Sequence, residues 1–203
     1  MEVFRDITRA FTPRFSDLDY SIKMIIGITG TLGAGKGTVV EYLKTKGFVH
    51  VSARDLFIEE LNRRGSPVNR GTITAVANEL RAQLGPGFFA QKAIEKAQEG
   101  EGYIVAESIR TVSEAEYLKS HGAPLWAVDA DIHKRYERIV ERQSETDQVS
   151  FEKFVEDEKR EWQNTDSAKQ NLKAVIAMAD VVLNNNGTQE ELFAQVEAAL
   201  KKL

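Results

Sequence analysis

Short apolar runs alternate along this chain with longer stretches of helical period. Met24-Ile25-Ile26-Gly27-Ile28-Thr29 is brief, β-branched and closed by Gly30, the pattern of a strand buried on both faces. Within 38–46, Val39, Val40 and Leu43 recur at helical spacing until Gly47 stops them. Phe48-Val49-His50-Val51 predicts a second strand. Ser52 with Asp55 three positions on predicts a capped helix continuing through Leu56, Phe57 and Leu61. After the break at Gly65-Ser66-Pro67, Ile73, Val76, Leu80 and Leu84 predict an amphipathic helix ended by Gly85-Pro86-Gly87. Phe89, Ala93, Ile94 and Ala97 predict one more before Gly100.

The second half repeats the rhythm. Tyr103-Ile104-Val105-Ala106 and Leu125-Trp126-Ala127-Val128 predict the third and fourth strands, separated by a helix capped by Thr111 and Glu114. The next helix places Ile132, Tyr136, Ile139 and Val140 on its buried face. A polar loop, Gln143 to Ser150, leads into a long charged helical region reaching about residue 178. Val181-Val182-Leu183 is the fifth strand, and Thr188 with Glu191 caps the last helix. Short strands alternating with helices imply a parallel sheet with right-handed crossovers and both faces covered. Residues 1–22 lack a clear period and read as an arm, either an appended helix or a loose segment.

Composition narrows the classes. A chain of 203 residues fits one domain, since roughly 100–200 residues make one, and is long enough to bury a core. It contains no cysteine, which excludes disulfides, thiolate metal sites and cysteine nucleophiles. Three scattered histidines, His50, His121 and His133, argue against zinc. A net charge of −4 argues against a broad nucleic-acid surface. No apolar run approaches the roughly 18–20 residues of a membrane span, and the charged first 20 residues do not resemble a secretory signal. The expected compartment is the cytoplasm, with monomer and homodimer both open.

Between the first strand and the first helix lies Gly30-Thr31-Leu32-Gly33-Ala34-Gly35-Lys36-Gly37-Thr38. In that context it reads as a phosphate-binding loop. Glycines let the backbone curl so that successive N–H groups point at phosphate oxygens, the helix N-terminus adds partial positive charge, and Lys36 reaches the β- and γ-phosphates. The expected ligand is ATP with Mg2+. The hydroxyl residue that normally follows the lysine is Gly37, with Thr38 next, so magnesium is held either through water or by Thr38. The expected fold class is therefore α/β, a three-layer P-loop NTPase fold spanning 23–203, with a five-stranded parallel sheet and helices on both faces.

Gly33-Ala34-Gly35-Lys36-Gly37-Thr38 resembles the glycine loop of nucleoside monophosphate kinases of the adenylate-kinase type. The stretch from Gly47 to Leu56 is similar to their second strand and acceptor-site turn, although Arg54 replaces the family glycine and Ile58 stands where an arginine is expected. That acceptor-phosphate contact is then missing or moved to Arg54, Arg63 or Arg64. Gly71-Thr72, Leu80-Arg81, Ala179-Asp180 and Asn184 also resemble archaeal kinase-like proteins related to dephospho-coenzyme A kinase. The resemblance spans roughly 24–203 and implies an acceptor-binding insertion at about 52–100 and a lid at about 138–162.

It further implies roles for single residues. Glu107, ending the third strand, matches a family aspartate that orients magnesium-bound water, and Arg110 matches the arginine gripping the acceptor phosphate. A strand-end carboxylate beside the loop can balance metal charge, and a planar guanidinium suits bidentate phosphate binding. Arg135, Arg138 and Arg142, at i, i+3 and i+7, form one stripe. Arg138 to Arg142 resembles the start of a kinase lid, while Glu137 and Glu141 between them would equally make a solvated face. Asp147 is a candidate lid anchor, Arg160 a weak lid candidate, and Glu156 to Glu161 otherwise read as a solvated helix face. The turn Asn184 to Thr188, with Gly187, corresponds to where related kinases pass backbone against adenine.

The expected activity is phosphoryl transfer from ATP to a small nucleotide acceptor, with Lys36, Arg110, Arg138 and Arg142 neutralising charge. A second reading is phosphorylation of a hydroxyl, as in dephospho-coenzyme A kinase, with Asp55 as base. A third is a partner-regulated nucleotide-binding ATPase, motivated by Ile58 and the residue 1–22 arm.

Overall fold

A computed structural model of the protein describes residues 24–100, 102–142, 149–162 and 169–203. The arm at 1–22, Asp147 and most of the expected lid loop lie outside the described residues, as does the side chain of Arg160. Five strands, β1 (Ile25–Gly30), β2 (Phe48–Ser52), β3 (Tyr103–Glu107), β4 (Leu125–Asp129) and β5 (Val181–Asn184), form one sheet in the order β2-β3-β1-β4-β5. Every pairing is parallel. β1 lies at the centre, and each of its residues is buried.

Alternation along the strands builds a core on each face. Ile25, Ile104, Ala106 and Leu125 pack beneath helices α2 (Ala53–Arg63), α3 (Arg70–Leu84), α4 (Phe88–Glu99), α5 (Val112–Ser120) and α8 (Leu172–Ala177). Ile26, Ile28, Val105, Trp126 and Val128 face the other way, onto α1 (Lys36–Thr45) and α9 (Gln189–Leu200). The expected caps form: Ser52, Thr111 and Thr188 side chains accept from the N–H groups of Asp55, Glu114 and Glu191.

Two expectations fail. The charged region after residue 150 is not one helix: α7 (Phe151–Trp162) and α8 are separate, because Asn171 caps the start of α8 and turns Leu172 and Val175 into the core. On α6 (Ile132–Arg142), Val140 is exposed and Arg135 is buried instead, reversing the expected pattern at those two positions. Their neighbours explain this, since Arg135 has acceptors on β4's outgoing loop and on α7.

The strand order fixes where a ligand fits. From β1 the chain runs out to β2, returns through β3 beside β1, and crosses to β4 on β1's other side. This switch point opens a crevice at the carboxyl ends of β1 and β3, the usual ligand position in open parallel sheets.

Candidate active site

The loop following β1 wraps the start of α1. Gly33 and Gly35 have φ of 77° and 101°, which L side chains rarely adopt, and a Cβ at Gly33 would meet the Arg135 carbonyl. A Cβ at Gly35 would meet Asn185 Nδ2, which donates to the Ala34 carbonyl at 2.8 Å. Gly37, by contrast, faces open space, so the first turn of α1 leaves room for a group to approach its backbone closely.

Lys36 is buried, and its Nζ donates to the Gly30 and Thr31 carbonyls at 2.9 and 2.8 Å. Burial pushes its pKa down from 10.5 to about 7, with Arg110 adding repulsion and Glu107 and Glu161 opposing it. The lysine is therefore short of compensating negative charge.

Glu107 ends β3 on the same sheet face as His50, and its Oε2 lies 2.9 Å from His50 Nε2. Burial pushes the carboxyl up, but the His50 hydrogen bond and Lys36 outweigh it and keep the pKa below the usual range. The next residue, Ser108, is the one non-glycine position with positive φ (73°) among the described residues. Its N–H and that of Ile109 both donate to the Ile28 carbonyl, which holds the turn against β1. Such strain costs on the order of 1–3 kcal/mol and persists only where the surroundings enforce it.

Arg110 follows on that turn. Its Nη1 donates to Glu161 of α7 at 2.7 Å and to Gln170 at 2.9 Å, and Arg70 of α3 grips the other Glu161 oxygen at 2.7 Å. Burial raises the Glu161 carboxyl, yet Arg110 and Arg70 hold its pKa below the usual range. The expected solvated face of α7 is thus corrected at three positions, since Asp157 also lies 3.7 Å from Arg70 and 3.1 Å from Lys153. Glu161 bridges two cleft arginines, and Glu158 pairs with Arg135.

The arginine stripe of α6 divides its work. Arg135 donates through Nε to the Ala130 carbonyl and through Nη1 to the Leu32 carbonyl, bracing the phosphate loop. Arg138 donates to the Asn185 carbonyl at 2.8 Å. Arg142 is exposed at the cleft rim.

One cleft of about 910 Å3 gathers Gly33, Gly35, Lys36, Gly37, Thr38, Glu107, Arg110, Arg138 and Arg142. Gly30 lies beneath, through its carbonyl on Lys36, and Ala34 is buried behind the loop. Asp55 is exposed on the first turn of α2 and is not among the lining residues, whereas its neighbour Arg54 is. Gly187 also lies outside the lining set, in the turn before α9, where the Glu191 carboxylate covers it.

Sequence reasoning missed Arg70, Gln170, the His50–Glu107 pair, and the tie from Asn185 to the loop. It named Arg81 only within a family resemblance and gave it no role; its Nε donates to Glu114 at 2.9 Å, both side chains being almost wholly buried. A signal for Arg81 existed, because it falls four residues after Ala77 on the buried face of α3. A charge on an apolar stripe marks a partner elsewhere.

The residues fit ATP and magnesium. Open space at Gly37, a buried lysine turned back on carbonyl oxygens, and two hard-oxygen donors, Thr38 and Glu107, line the same cleft.

Fold and loop together define a P-loop kinase-like α/β domain, and residues 26–163 match the family profile described as an AAA domain. A crystal structure of TT1252 from Thermus thermophilus has the same fold, with a TM-score of 0.56 and 24% identity over 89% of this chain and 98% of that one. Shikimate kinase from Bacteroides thetaiotaomicron shares it at a TM-score of 0.51 and 14% identity, over 89% and 99% of the two chains. The UPF0200 protein TK1334 of Thermococcus kodakarensis is 30% identical over 187 residues, covering 89% of this chain and 98% of that protein. The chain therefore belongs to the AAA-domain family and, more narrowly, to the UPF0200 family. Among the described residues no helix is long and apolar enough to cross a membrane.

Proposed function

We propose that the protein is an ATP- and magnesium-dependent phosphotransferase acting on a small nucleotide acceptor, in the manner of a nucleoside monophosphate kinase. The carrying observation is the convergence of Lys36, Glu107, Arg110, Arg138 and Arg142 on one cleft above a glycine loop. Phosphoryl transfer asks little covalent chemistry of a protein, and catalysis rests on positioning and on offsetting charge. Lys36 and the loop N–H groups hold the polyphosphate. Arg110 and Arg142 receive the charge that spreads over the transferred group. Thr38 and Glu107 are the residues that would hold magnesium, which when bound offsets charge on the phosphate oxygens. A phosphate acceptor is already ionised and needs no general base. The exposed position of Asp55, outside the cleft lining, favours this reading over phosphorylation of a hydroxyl. In this reading α2 to α4 form the acceptor-binding region, and α6 and α7 carry the lid.

The test follows ADP release from ATP and magnesium against a panel of nucleoside monophosphates, deoxynucleotides and dephospho-coenzyme A. One nucleotide should raise turnover well above background, and Lys36→Ala should be silent. Hydrolysis that depends on Lys36 yet ignores every acceptor would replace this reading with a nucleotide-dependent ATPase.

A further inference from the structure

The cleft has two ends of unlike chemistry. Beside the phosphate loop it is lined by cations and by Glu107; toward α2 and α3 its wall is Ala53, Phe57, Ile73 and Ala77, with Arg81 among them. Arg81 is 1% exposed, and its guanidinium lies 5.4 Å from the centroid of the Phe57 ring. Nε is satisfied by Glu114, but Nη1 is buried with no hydrogen-bond partner. Glu114 is itself fully buried and committed, since its second oxygen accepts from the N–H groups of Arg110 and Thr111 at 3.0 and 3.1 Å. A buried donor left without an acceptor is costly, and native proteins seldom tolerate one without a use for it.

We propose that Arg81 reads the ring of the acceptor, its free Nη1 donating to a carbonyl oxygen on a flat ring seated against the apolar wall of α2 and α3. This rests on the nucleotide reading above and adds the substrate class, an oxo-substituted base. Charge decides between a carbonyl and an anion. The Arg81–Glu114 pair is neutral as a unit, so an anion at Nη1 gains little that Lys36, Arg70, Arg110 and Arg142 do not already offer. An uncharged carbonyl needs only the donor. An exocyclic amino group at the same place would oppose donor to donor and leave both unsatisfied, which is how buried polar sites reject near-isosteres. The same carboxylate also ties Arg81 to the backbone of Arg110, so ring recognition is linked to the turn carrying a phosphate-binding arginine.

The experiment compares kcat/KM for two near-isosteric pairs with ATP and magnesium, inosine against adenosine monophosphate and uridine against cytidine monophosphate. In at least one pair the oxo member should be preferred by about 10- to 100-fold, as for a hydrogen bond from a charged donor. Arg81→Lys keeps a cation for Glu114 but removes the second branch, and should cut that ratio to a few-fold. The ratio is taken within one preparation, so partial loss of folded protein cancels. Arg81→Met with Glu114→Gln removes both charges together and should flatten the ratio as well. Equal use of both members of each pair by the wild type, or an unchanged ratio in these variants, overturns the assignment of Arg81 while leaving the kinase reading intact. Failure of every nucleoside monophosphate to be phosphorylated overturns both.

Discussion

Replacing Lys36 with methionine deletes an amine whose charge the folded protein penalises by burial. The lysine's pKa falls from 10.5 to about 7 on folding, chiefly through burial and next through Arg110. The unfolded chain thus keeps this proton over a pH range in which the folded chain has released it, and stability rises with pH across that range. Below pH 7 the full penalty opposes folding, about 5 kcal/mol at 1.36 kcal/mol per pKa unit; about 2 kcal/mol of it remains at pH 9. Wild type should therefore gain about 2 kcal/mol from this group between pH 7 and pH 9, and Lys36→Met should gain none of it. Losing the bonds to the Gly30 and Thr31 carbonyls shifts the variant's stability at both pH values alike, so the difference in slope isolates the charge. Urea unfolding at the two pH values, extrapolated to water, measures it. Calorimetry gives an independent reading: with the folded pKa lowered to about 7, ATP binding at pH 8 should take up a substantial fraction of a proton, seen as heat that varies with the buffer's ionisation enthalpy. Parallel pH slopes for the two proteins, or binding without proton uptake, would refute the reasoning.

Two further outcomes follow from the same geometry. Glu161→Gln should raise affinity for anionic acceptors several-fold by removing the carboxylate charge shared by Arg70 and Arg110, which keep Asp157 and Gln170 as partners, while costing about 1–3 kcal/mol in unfolding free energy; titration of the acceptor and a urea curve on the same variant check both. Gly33→Ala forces a positive-φ residue and drives its Cβ onto the Arg135 carbonyl, so it should lower stability by at least about 2 kcal/mol and abolish ATP binding, read from thermal unfolding with and without ATP.

How much of this was legible in the sequence depends on the range of the interaction. The phosphate loop was visible because its function is local: strand, glycines, lysine and helix are contiguous from Ile25 to Thr45, and each supplies its own backbone geometry. The three Ser/Thr caps were visible for the same reason, since a cap and its partner lie three residues apart. The strands were visible because burial on both faces leaves a continuous apolar run, as in the six buried residues of β1. The long helix expected after residue 150 failed because charged residues favour helix without saying where it stops. Asn171, the cap that starts α8, did not stand out among the polar residues around it.

Arg110 was legible as a candidate, but the ion pairs that set the arginines at the α3 end of the cleft were not, and the reason is physical. Arg70, Arg81 and Arg110 are set by carboxylates 91, 33 and 51 residues away, so no window of sequence contains both members of any of these pairs. A charged residue read alone defaults to the surface, where an ion pair contributes little and leaves no pattern. Burial changes that arithmetic. Glu114 looked like an ordinary capping residue because one of its oxygens does cap α5, while the other holds a buried guanidinium. A cap that is also fully buried must spend its second oxygen on something, and here that something lines the cleft. The same reasoning separates Arg135 from Arg138 and Arg142. Spacing puts all three on one stripe of α6, but only Arg135 lies over Phe154 and between the Ala130 and Leu32 carbonyls, so it braces the loop, while Arg142 lines the cleft.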